Sequence, residues 1–88
     1  MILYAVIMET IDAEKDAEVL DVHKAYLAKY IEEGKIFAKG PFTDHSGGLM
    51  IYNTASEEEA RELVENDPVI KEKSRKYTIK EWRSTIEI

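Results

Sequence analysis

Residues Ile2 to Met8 read Ile-Leu-Tyr-Ala-Val-Ile-Met, an extended-type run with no polar side on either face. This stretch constrains the fold of the 88-residue chain more than any other. Alternate side chains of a strand point to opposite faces, so Ile2, Tyr4, Val6 and Met8 share one side and Leu3, Ala5 and Ile7 the other. A strand with one face in water should alternate apolar and polar residues. This one does not, and neither does Leu49-Met50-Ile51-Tyr52. Both strands must therefore be covered on two sides. Glu9 and Asp12 end the first run far short of a membrane span, and it has no basic leader or small-residue cleavage site. With no cysteine, neither a disulfide framework nor a thiolate metal site or nucleophile is available. The expectation is a single domain over residues 1–88, cytoplasmic and without a membrane segment.

The order of elements follows from local signals. After the first strand, Asp12 can cap a helix whose first turn carries Glu14 and Asp16, which suit its dipole. The helix should run to about Glu33 and stop at Gly34, a residue suited to a left-handed cap. Ile36–Gly40 reads as a second strand closed by Pro41. Thr43–Gly48 is turn chemistry, and Leu49–Tyr52 is the third strand, bounded by Asn53. Ser56 and Glu59 form a capping box at the head of a second helix. Ala60, Leu63 and Val64 give that helix its inner face, and Pro68 makes its continuation costly. A basic connection, with room for one helical turn, leads to a last strand at Tyr77–Trp82 that can stay extended through Ile88. The order β-α-β-β-α-β is the ferredoxin-like arrangement of the α+β class: one four-stranded antiparallel sheet with both helices on the same face.

Two helices on one face leave the other sheet face bare, although the first and third strands are apolar there. A second copy of the same sheet is the simplest cover, and it would enlarge the core that so short a chain provides. A homodimer through the sheet face is therefore expected. The net charge of −6 argues against nucleic acid, whose binding rests on phosphate neutralisation. The charge is uneven: residues 1–68 carry a balance of −9 and residues 69–88 a balance of +3. Lys71, Lys73, Arg75 and Lys76 could attract an anionic ligand; a solvated face on the last connection is the plainer reading.

Chemistry points to the first helix. At roughly 100° per residue, Val19, His23, Tyr26, Leu27 and Tyr30 fall on one side, and the stripe carries an imidazole inward. A group that titrates near neutrality, half removed from water, suits acid–base work, although a satisfied core histidine has the same position. Asp67 continues the inner face of the second helix, three, four and seven residues after Val64, Leu63 and Ala60. Taken alone, Asp67-Pro68 is a turn start after a helix. With both helices on one sheet face, however, His23 and Asp67 can meet across the chain. A carboxylate on one ring nitrogen would fix the tautomer and leave the other nitrogen for a substrate proton. No serine or threonine is placed as a nucleophile, so proton transfer fits better than acyl transfer.

Weaker candidates surround this pair. Tyr26 and Gly40 are possible walls of a substrate pocket, and Tyr26 and Tyr30 are equally readable as packing residues. Asp44-His45 with Ser46 lies in a polar turn and lacks the further ligands a metal site requires. Gly47-Gly48 lacks the strand–loop–helix context of a phosphate loop, and the third strand lacks the aromatic pattern of RNA-binding sheets.

His23, Gly34, Gly40-Pro41, Ser56 with Ala60, Asp67-Pro68 and Ile79-Lys80-Glu81-Trp82 follow one another in an order that resembles the YciI-like family, the YCII-related domain, over nearly the whole chain. The resemblance implies a dimeric α+β barrel built from ferredoxin-like units. It also implies an active site in which a first-helix histidine faces an aspartate after the second helix, here His23 and Asp67. One branch of the family resembles dehydrochlorinases acting on chlorinated hydroxyquinols, and the wider barrel superfamily includes muconolactone isomerases. Some related barrels hold haem, for which a lone His23 is inadequate. The chain departs from the family at Leu20, where relatives often have arginine, and at Val69-Ile70-Lys71-Glu72, where they often have an aromatic residue and then a glycine. The reading is a cofactor-independent enzyme using His23 and Asp67 for elimination or isomerisation of a small cyclic or carbonyl compound. The alternative is a non-catalytic dimeric module that binds a small molecule or a protein.

Overall fold

In the computed structural model, which describes residues 1–87, the run that begins at Ile2 becomes β1 (Ile2–Thr10) and takes an inner place in a four-stranded sheet. The chain continues through α1 (Ala13–Glu32), β2 (Ile36–Pro41), β3 (Gly47–Tyr52), α2 (Glu57–Glu65), the short α3 (Pro68–Lys71) and β4 (Arg75–Arg83). Strand order is β2-β3-β1-β4 and every neighbour is antiparallel. This is the expected βαββαβ layout with one added helical turn.

Local chemistry sets the ends of α1. The Asp12 side chain accepts from the Lys15 N–H at 3.0 Å. At the other end Gly34 has φ +79°, and the amides of Gly34 and Lys35 donate back to Ile31 and Tyr30 at 3.0 and 2.9 Å. That crossed pair of bonds satisfies carbonyls the helix leaves open and requires a left-handed residue, which glycine adopts without a Cβ clash. The same device closes α3 at Lys73, whose φ is +60°: Lys73 and Ser74 donate to Ile70 and Val69.

Tyr4, Val6 and Met8 of β1, Met50 and Tyr52 of β3 and Ile36 of β2 face the helices and pack with Leu27, Ala60, Val64 and Val69. On the opposite face, register pairs Ala5 with Ile51 and Lys80, and Leu3 with Trp82. The helices leave that face open, and Ile7 and Trp82 stay 37% and 41% exposed on it.

Several details bear on the expected boundaries. Gly47 and Gly48 belong to β3 rather than to the turn before it, because they pair with Glu9 and Met8 of β1. A Cβ on Gly47 would lie 1.9 Å from the Met8 carbonyl oxygen, so glycine allows the two backbones to close there. As expected, α2 ends before Pro68, at Glu65, and Pro68 opens the helical turn α3 at a position where its missing N–H is not needed. β4 starts two residues early, at Arg75, and ends at Arg83. Residues 84–87 are not strand, though Ser84 bonds Met1 through both main chain and hydroxyl, and Ile88 lies outside the described residues.

Candidate functional site

α1 turns His23 and Leu27, one helical turn apart, against the sheet, and His23 is only 5% exposed. Asp67 is fully buried at the junction of α2 and α3. The two meet across 44 positions of sequence, with Nδ1 of His23 2.7 Å from Oδ1 of Asp67. The same Oδ1 accepts the Val69 N–H at 3.1 Å, so Asp67 caps α3 and holds the imidazole at once. Its turn role and its pairing role are one geometry. A carboxylate only accepts, so the bond puts a hydrogen on Nδ1 and leaves Nε2 as the proton-accepting atom of the neutral ring. Nε2 has no hydrogen-bond partner among the described residues.

The ring borders a half-open pocket of about 260 Å³ between α1 and the β2–β3 end of the sheet. Leu20, Leu27, Gly40 and Met50 give it largely apolar walls, and Lys24, Lys39 and Arg75 also border it. His23 therefore does not lie in a closed, dry core. Leu20 is one of the apolar walls.

Arg75 is held in place. Its Nε and Nη2 donate to the two carboxylate oxygens of Asp16 at 2.8 and 3.0 Å, and the Ser74 hydroxyl donates to Oδ1 at 2.9 Å. The two charged side chains are 12% and 14% exposed. Burial pushes the Asp16 carboxyl up, but the hydrogen bonds from Arg75 and Ser74 outweigh it, and the group ends below its ordinary 3.8. The network fastens the start of β4 to the first turn of α1, beside the pocket.

The remaining candidates separate. Gly40 lies on the pocket wall. Tyr26 does not border the pocket: its hydroxyl donates to the Leu63 carbonyl at 2.6 Å, its ring meets Tyr30 edge-on at 5.0 Å, and burial pushes its phenol up. Tyr26 thus ties α1 to α2. Asp44 and His45 sit exposed in the β2–β3 turn, where the Asp44 carboxylate accepts the Ser46 N–H. No three His, Asp or Glu side chains converge as a metal site would require, among the described residues. Among those residues, no helix is long and apolar enough to cross a membrane.

Lys24, Lys39 and Arg75 escaped the sequence reading as pocket residues. In sequence Arg75 belongs with Lys71, Lys73 and Lys76 to one basic connection; the fold separates them, sending Arg75 to Asp16 and Lys76 to Glu9. The available signal was Asp16, an acidic residue on the inward side of the first helical turn.

Residues 2–83 match the YCII-related domain family. The chain is 34% identical over 82 residues to the uncharacterized protein YjpA of Bacillus subtilis (strain 168), a match spanning 92% of this chain and 96% of that protein. In fold it is similar to TftG, the 5-chloro-2-hydroxyhydroquinone dehydrochlorinase of Burkholderia phenoliruptrix AC1100, solved in complex with 2,5-dihydroxybenzoquinone. The TM-score is 0.80 at 22% identity, over 92% of this chain and 93% of that one.

Proposed function

The chain belongs to the YCII-related domain family, and from that premise we propose that it is a cofactor-independent acid–base enzyme acting on a small cyclic or carbonyl compound. One observation carries the reading: a buried carboxylate grips Nδ1 of His23 while the ring borders an accessible, mostly apolar pocket. That combination is unnecessary for a core histidine, which needs a partner and no opening.

In the proposed reaction, Nε2 removes a proton from a carbon next to a carbonyl. The C–H electron pair becomes a carbon–carbon double bond as a leaving group departs with its own pair, or an enolate that is reprotonated elsewhere. The first course is elimination and the second isomerisation. Asp67 stabilises the imidazolium that forms, and the proton returns from Nε2 to water or to the product. Such a pair supplies roughly 10²–10⁴-fold acceleration. The dehydrochlorinase activity of TftG, a protein of similar fold, is consistent with elimination chemistry.

We further infer that two copies pair through the sheet face opposite the helices, where Ala5, Leu49, Ile51 and Trp82 line a shallow hollow. An interface repeated by a two-fold axis lets each copy cover the other's apolar strands.

Turnover of a panel of halogenated and carbonyl-bearing ring compounds by the parent, His23→Asn and Asp67→Asn tests the enzyme reading. At least a hundredfold loss in both folded variants is expected. Turnover unchanged in either would end it, and a parent that binds panel members but converts none is a binding module.

A further inference from the structure

The pocket beside His23 has a charge opposite to that of the protein around it. The chain carries 18 acidic and 12 basic side chains, yet Lys24, Lys39 and Arg75 border this pocket and no aspartate or glutamate does. The three cations are not equivalent. Arg75 directs both Nε and Nη2 to Asp16, and its Nη1 lies 3.9 Å from the Met8 sulfur, so its charge is already matched. Lys24 and Lys39 are exposed and make no ion pair among the described residues, whereas Lys15, Lys35 and Lys76 each pair with a glutamate. Lys24 follows His23 directly on α1, and Lys39 sits on the edge strand β2 opposite Met50 of β3. The two lysines thus approach the opening from opposite walls, α1 and the sheet edge.

We propose that this pocket takes a small anion: a single ring or comparable apolar body bearing one ionised oxygen, a carboxylate, enolate or phenolate. Lys24 and Lys39 hold the oxygen at the rim while the body lies against Leu20, Leu27 and Met50. The size agrees. A cavity of about 150 Å³ accepts benzene, so about 260 Å³ has room for one substituted ring. Lysines suit this task as mobile point charges on long stems that adapt to one oxygen. They also favour the charge that builds on oxygen when a proton leaves the neighbouring carbon. The inference rests on the pocket being the substrate site of the acid–base reading, and it names the substrate class.

Benzoate and its neutral counterpart benzamide separate charge from shape. Calorimetry, with the Gly40 and Gly48 amide resonances as local reporters, should show benzoate binding about tenfold tighter than benzamide at low salt. This assigns a few-fold to each exposed lysine contact. Added salt should shrink the preference, because exposed charges are screened. The Lys24→Gln/Lys39→Gln double variant should keep its melting temperature and lose the preference. Equal affinity for the two probes, no resonance shift with either at millimolar concentration, or a preference that survives the double substitution would overturn the proposal. His23→Asn keeps the benzoate preference while losing turnover. Failure of the acid–base reading therefore shows in turnover, and failure of the anion assignment in the binding ratio.

Discussion

Replacing Asp67 by alanine and by asparagine tests what the buried carboxylate contributes. Its Oδ1 serves two donors, Nδ1 of His23 at 2.7 Å and the Val69 amide at 3.1 Å, and the side chain is fully buried. Asp67→Ala removes the cap of α3, about 1 kcal/mol, and strands the His23 N–H in a site only 5% exposed, about 1–3 kcal/mol. The expected loss is about 2–4 kcal/mol. Stability for a chain of this length is roughly 4–13 kcal/mol, so the variant should be folded but markedly weakened. Asp67→Asn keeps an oxygen for both donors, forfeits the charge-assisted part and sets an amide NH2 where the buried Oδ2 has no partner among the described residues, about 1–2 kcal/mol together. Urea unfolding at one protein concentration measures both, because the proposed pairing between copies would raise apparent stability with concentration. The slope against urea should be unchanged and the midpoints ordered parent, Asn, Ala. If alanine costs under about 0.5 kcal/mol, the pair does not hold these elements together. A double-mutant cycle with His23→Ala should return about 1.5–3 kcal/mol of coupling.

Gly47→Ala should cost about 3 kcal/mol, at the upper end of overpacking, because its Cβ would meet the Met8 carbonyl oxygen of an inner strand at 1.9 Å. Gly34→Ala meets nothing within 4 Å and bears only the penalty of φ +79°, about 1 kcal/mol. Thermal melts in which Gly47→Ala is the milder change would refute the steric argument. Asp16 has a folded-state pKa below its ordinary 3.8, so its contribution is present above that value and fades as pH falls through the lower folded one. Asp16→Asn should therefore cost about 1–2 kcal/mol above pH 5, between the exposed and buried limits for ion pairs. Its stability curve should converge on the parent's in acid; a constant gap at all pH values would show that packing, not charge, is lost. Ile7→Lys, on the open sheet face, should convert a sedimenting dimer to a folded monomer, and a parent that is already monomeric would remove the pairing proposal.

The elements themselves were readable because their causes are local. Asp12 and Ser56 cap helices through donors three residues away, and Gly34 closes α1 by a bond that reaches five residues at most. Boundaries failed where pairing decided them. Gly47 and Gly48 look like a turn in isolation and become strand only because Met8 and Glu9 lie opposite. The composition of Ile2–Met8 required two covered faces, and the helices do cover one of them. His23 was visible as an imidazole on an inward stripe.

What that imidazole touches was not a property of its own helix. The 2.7 Å contact with Asp67 exists because α1 and the α2–α3 junction lie on the same sheet face, and no local interaction sets that distance. The same is true of the pocket's charge: Lys24, Lys39 and Arg75 come from a helix, an edge strand and the start of β4, and only the packed sheet brings them to one opening. Tyr26 shows the converse, a side chain on the right stripe whose hydroxyl was taken by Leu63. Sequence determined which segments form and which faces must be hidden, since hydrogen-bond geometry and hydrophobic period act over a few residues. Tertiary structure decided which side chains share a site, since that depends on how distant segments settle on a common sheet.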